Sequence, residues 1–90
     1  MESLVVEREV TVGHAKLHAR AAAELVGLAK QFRSTVEIEN SGTNRNAKSP
    51  MGVLALGAVK GDTVKVLAEG SDEAEAAEAV AAFVAGDGSL

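Results

Sequence analysis

His18 and Arg20 stand two residues apart in Leu17-His18-Ala19-Arg20-Ala21, where a loop is expected to run into a helix. An imidazole at that point lies beside unpaired helix N–H groups and the positive end of the helix dipole. The field disfavours the imidazolium, so the ring stays neutral and nucleophilic near pH 7. The same N–H groups would stabilise an anion carried on the ring, and phosphate suits such a site. The effect is typically ~0.3–1 kcal/mol when exposed and up to ~2 kcal/mol when partly buried. Arg20 adds a forked donor for phosphate oxygens. The residues alone equally allow a histidine that merely flanks a helix.

A second constellation is Asn46-Ala47-Lys48-Ser49-Pro50-Met51-Gly52. The residue before a proline is pushed toward extended geometry, as an N-cap requires, and proline fits the first helical position. Ser49 is therefore expected to cap the amide of Met51 or Gly52. A phosphate on this hydroxyl would add about two negative charges. If this helix end lies beside Arg20, that modification would weaken docking of an acidic partner. A helix this short cannot bury all of Met51, Val53, Leu54 and Leu56. Met51 and Leu54 are expected to stay exposed and, with Lys48, to contact a partner.

Other chemistries find no support. His14 and His18 are four apart, but Gly13 to Lys16 is not predicted helical and no carboxylate lies between or just beyond them, so no metal site is expected. The glycines are scattered turn formers rather than a phosphate-binding loop. No Ser/His/Asp set is suggested by spacing.

The elements that must position these residues read as follows. Val6, Arg8, Val10 and Val12 alternate with Val5, Glu7, Glu9 and Thr11 as in a strand, which Gly13 ends. Ala22, Leu25, Val26, Ala29 and Phe32 have helical spacing, predicting a helix over 19–32. Thr35 to Glu39 alternates again, and Asn40-Ser41-Gly42-Thr43 predicts a hairpin into Thr43–Asn46. Met51 to Leu56 forms a short helix stopped by Gly57, and Thr63 to Ala68 a further strand. Gly70-Ser71-Asp72-Glu73 opens the last helix with a capping hydroxyl and two acids, and Gly86 closes it. The order βαββαβα implies an α+β open-faced β-sandwich: a four-stranded, mainly antiparallel sheet with three helices on one face. A single domain over 1–90 is expected, with 87–90 as a flexible tail.

Ninety residues with 47% apolar content and two phenylalanines as the only aromatics suit one small core. Cysteine is absent, which fits a reducing cytoplasm. The charged, alternating start resembles no signal peptide, and no apolar run could span a bilayer. The net charge of −4 and the lack of stacking aromatics argue against nucleic acid. Residues 10–60 hold seven bases against three acids, whereas residues 61–90 hold one base against seven acids. A basic face built by the first two thirds would suit an acidic partner or a phosphorylated group. Ordinary solvated charge is the other reading.

Taken together, Leu17-His18-Ala19-Arg20 with its Ala22…Leu25-Val26 helix, and Asn46-Ala47-Lys48-Ser49…Met51-Gly52-Val53-Leu54…Leu56-Gly57, resemble the histidine-containing phosphocarrier protein (HPr) family of the bacterial sugar phosphotransferase system. Lys60-Gly61-Asp62, Ala68-Glu69-Gly70 and Asp72-Glu73-Ala74 extend the likeness along nearly the whole chain. The resemblance implies that His18 takes a phosphoryl group on Nδ1 from phospho-enzyme I, which phosphoenolpyruvate charges, and gives it to enzyme IIA. Arg20 would steady the group during both transfers. Ser49 matches the serine modified by HPr kinase/phosphorylase in many Gram-positive relatives. No cofactor is implied, and the protein would be a monomeric stoichiometric intermediate rather than a turnover enzyme. Lys16, Ala21 and Pro50 stand where the family usually has glycine, proline and an apolar residue. Two rival readings are an HPr-like regulator acting through Ser49 or docking alone, and a small-molecule-binding α+β module.

Overall fold

The alternating residues of the first segment form β1 (Val6–Thr11), and the computed structural model, which describes residues 5–13 and 19–86, continues with α1 (Ala19–Ala29), β2 (Thr35–Asn40), β3 (Thr43–Asn46), α2 (Pro50–Ala55), β4 (Thr63–Glu69) and α3 (Glu73–Val84). The strands make one sheet in the order β1-β4-β2-β3, with every neighbouring pair antiparallel. This is the expected open-faced β-sandwich. Register follows the hydrophobic pattern: Val10 faces Val64, and Ile38 faces Val66. Val36, Ile38, Val64, Val66 and Ala68 point inward and meet Leu25, Ala76, Val80 and Val84 from the helices, all fully buried. The β2–β3 turn uses Ser41 and Gly42 at φ +55° and +83°, the paired positive values of a tight hairpin turn.

Two expectations about helix ends are corrected. The helical spacing through Phe32 overshoots, because α1 stops at Ala29 and the chain tightens into bonds from Gln31 N to Leu28 O and Phe32 N to Ala29 O. Tertiary partners draw the chain off the helix there. The Lys48 ammonium donates to Phe32 O at 2.8 Å, while Arg33 N and Ser34 N donate to the Asp72 carboxylate at 3.0 and 2.9 Å. Phe32 still packs against the core.

The second correction concerns α3. Its N-cap position is held by Asp72 rather than the hydroxyl of Ser71, and the Asp72 side chain makes no cap bond. Its carboxylate is committed elsewhere, accepting from the Ser34 hydroxyl at 2.5 Å besides the two amides. Ser34 is fully buried, and Gly70 approaches it so closely that a Cβ would lie 2.6 Å from Ser34 Cα. The end of α1 and the start of α3 are thus clasped together. Residues 87–90, expected to be a flexible tail, lie outside the described residues.

Candidate functional site

The loop expected to carry the chemistry leaves the sheet at Gly13 and rejoins the described chain at Ala19. Its near end is fixed. Val12 N donates to Asp62 O, Gly61 N donates to Val12 O, and Gly13 N donates to Val84 O at 2.9 Å. Only glycine fits at that point, since a Cβ would stand 2.0 Å from Ala85 O. Its far end is the first residue of α1. His18 itself, with Lys16, lies outside the described residues.

Arg20 is the second residue of α1. Its side chain is 90% exposed, and its Nε is 3.8 Å from Glu24 Oε2 one turn on. An exposed pair at that distance contributes little, so the guanidinium remains available to an anion. The first turn of α1 carries no acid. The positive end of this eleven-residue helix is therefore not neutralised by a neighbouring carboxylate.

The second constellation is firmly built. Ser49 is extended at φ −113°, ψ 117°, and its hydroxyl accepts from Gly52 N at 3.1 Å, with Pro50 opening α2. Lys48 N donates to Asn46 Oδ1, Ser49 N to Asn46 O, and buried Ala47 N to Val36 O. Asn40 Nδ2 holds the far end of α2 by donating to Leu56 O at 3.0 Å. A six-residue helix is not stable alone; here Val53 anchors it to the core, and these side chains pin both ends. Met51 and Leu54 project outward, 76% and 41% exposed, as does Val59 at 42%.

The structure separates one candidate from the rest. The Lys48 ammonium is bound to Phe32 O, beyond the C-terminal end of α1, whereas Arg20 is in the first turn. The nine steps from Arg20 to Ala29 alone span about 13 Å of helix axis. Lys48 acts on the fold by closing a helix-end carbonyl, and its cation is not beside Arg20. Of the other bases, Lys30 and Arg33 follow the end of α1, and Arg45 is paired with inward-facing Ile38.

Spacing gave no hint of the Asp72 clasp, because Ser34 and Asp72 are 38 residues apart. The Ser34 hydroxyl above all, then the Arg33 and Ser34 amides, lower the Asp72 carboxyl from 3.8 to about 2. Among the described residues, no group of three or more His, Cys, Asp or Glu is arranged to hold a metal ion. Among them too, no helix is long and apolar enough to cross a membrane.

The family model for the phosphotransferase-system HPr component phosphorylation site matches residues 6–86. This chain belongs to the HPr family. Relatives of HPr type agree in sequence and in fold. The HPr-like protein Crh of Halalkalibacterium halodurans is 43% identical over 81 residues, covering 89% of this chain and 96% of that protein. The crystal structure of phosphocarrier protein HPr from Bacillus anthracis superimposes with a TM-score of 0.85 at 41% identity, covering 89% of this chain and 96% of that one. Crh of Bacillus subtilis, crystallised as a dimer with a swapping domain, gives a TM-score of 0.73 at 44% identity over 79% and 82% of the two chains. The matched residues include the segment around His18 and Arg20 and the segment around Ser49.

Proposed function

We propose that this HPr-family protein carries a phosphoryl group on His18, taking it from phospho-enzyme I and giving it to an enzyme IIA. The observation that carries this reading is the family match across residues 6–86, which spans the Leu17-His18-Ala19-Arg20 motif. A neutral ring nitrogen of His18 attacks the phosphorus of the donor. One bond from nitrogen to phosphorus forms as the donor's bond to phosphorus breaks, and the return step reverses this toward the acceptor. The acid-free first turn of α1 and the exposed Arg20 guanidinium supply positive potential for the anion in both steps. Met51 and Leu54 offer an apolar contact to the partner. The carrier works as a single-domain monomer in the cytoplasm, turning over no substrate of its own.

The test is incubation with enzyme I, phosphoenolpyruvate and Mg²⁺. An acid-labile, base-stable mass gain that His18→Ala abolishes is expected. No gain with several sources of enzyme I overturns the reading.

A second reading is regulation through Ser49, favoured by the 43% identity to the HPr-like protein Crh and by the hydroxyl at the start of α2. Phosphate there would add negative charge beside exposed Met51 and change which partner docks. Mass gain on Ser49 alone, with ATP and an HPr kinase/phosphorylase, supports this alternative. Sedimentation at working concentration separates a monomer from a dimer of the kind crystallised for Bacillus subtilis Crh.

A further inference from the structure

The three helices cover one side of the sheet, and none of the described helices covers the other. Pairing sets its composition. Glu7, Leu67 and Glu37 form one row across β1, β4 and β2, and Glu9, Lys65 and Glu39 form the next. Glu69 continues the face along β4. Its five carboxylates and one ammonium leave it at −4, equal to the formal net charge of the whole chain. The face is not polar throughout. Half-buried Leu67 and Val5, 47% exposed, border a hollow of about 170 Å³ with Thr35, Glu37, Ala68 and Glu69.

Lys65 pairs across both strands with Glu9 and Glu39, whereas Glu7 and Glu37 flank Leu67 and have no basic cross-strand partner. Of the two ion pairs described, Arg8 with Glu78 and Arg20 with Glu24, neither lies on this face. Concentrating one sign costs stability through self-repulsion, which an approaching cation relieves. Anionic ligands such as nucleic acid or acidic lipid are repelled by the same field.

We propose that the open face of the sheet is a docking surface for a cationic protein segment, which sets an apolar side chain into the hollow beside Leu67 and its bases against Glu7, Glu9, Glu37 and Glu39. The surface lies opposite α1 and α2, so a chain docked there leaves the Arg20 and Met51 side free. It does not depend on phosphoryl transfer.

The experiment is an amide-shift titration of the ¹⁵N-labelled full chain, at low ionic strength, with a capped five-residue peptide of alternating lysine and leucine. Pentalysine and a Glu37→Gln/Glu39→Gln variant serve as comparisons. Saturable shifts at Glu7, Glu9, Glu37, Glu39, Lys65 and Leu67 are expected, with binding about tenfold weaker in the variant and also weaker for pentalysine. Glutamine at 37 keeps an acceptor for Asn44 Nδ2, which donates to Glu37 at 3.0 Å, so the variant should melt no lower than the parent. Shifts centred on Glu73, Glu75 and Glu78 of α3, unchanged affinity of the variant, equal affinity for both peptides, or no saturable shift would each overturn the proposal.

Discussion

Gly27 sits in the middle of α1, where a glycine costs about 0.8–1 kcal/mol relative to alanine through backbone entropy. Mid-helix glycines are usually explained by a close approach or a positive φ, and neither applies here. A Cβ built at Gly27 meets nothing within 4 Å, and the position borders an open groove of about 510 Å³ between α1 and α3, with Leu28 and Phe83 among its walls. Gly27→Ala should therefore recover nearly the whole propensity difference, about 0.8 kcal/mol, with no steric offset. For a domain of this size that corresponds to a rise in Tm of roughly 3–6 °C. In urea, with an m-value of about 1–2 kcal/mol/M, the midpoint should rise by roughly 0.4–0.8 M at unchanged slope. Circular dichroism at 222 nm reads both. Gly70→Ala is the built-in contrast: its Cβ would stand 2.6 Å from Ser34 Cα at φ +152°, so it should lower the midpoint sharply. A Gly27→Ala protein that melts below the parent would refute the reasoning, because it would mean that α1 and α3 close over this position.

Three further outcomes follow from the contacts described. Because the folded carboxyl of Asp72 sits at about 2 against an ordinary 3.8, its contribution is complete above pH 3.8 and is lost as pH falls toward 2. Asp72→Asn should destabilise the protein at pH 7 and flatten the acid limb of its pH–stability curve, measured by urea unfolding between pH 2 and 7. Ser49→Ala removes the acceptor for Gly52 N and should cost about 1 kcal/mol, read as a lower urea midpoint at unchanged slope. Lys48→Met keeps the aliphatic stem but frees Phe32 O; amide exchange should accelerate around residues 30–34, and the rate of phosphoryl transfer to His18 should stay within about twofold of the parent. A large fall in that rate without faster exchange would place Lys48 in the partner interface instead.

The sheet and its order of elements were legible because period-two and helical spacings were clean, and because turn residues stood between them. Ser49 was legible because proline holds the preceding residue extended, the geometry an N-cap needs, and itself fits the first helical position. The ends of α1 and α3 were not, since both are decided by contacts between residues far apart in the chain. Phe32 has the right spacing to continue α1, yet Lys48 and Asp72 take the backbone groups that continuation would use. Ser71 looks like a cap, but Asp72 occupies that position in order to reach Ser34. Lys48 illustrates a general difficulty. A lysine beside a candidate site reads as a binding charge, and its bond to Phe32 O, sixteen residues away in the chain, is invisible to local spacing.

The position of β4 between β1 and β2 has a consequence for how the chain is made. As the polypeptide leaves the ribosome, β1, β2 and β3 all emerge before the strand that joins them. Until Thr63–Glu69 is available, only the local β2–β3 hairpin can pair, and the valines of β1 have no strand to face. β4 is therefore the strand on which both flanking strands depend, and α3 packs over β1 and β4. A chain ending before residue 63 lacks the strand that brings Val64, Val66 and Ala68 into the core. The last third of the chain thus supplies both the strand that joins the sheet and the helix that covers it.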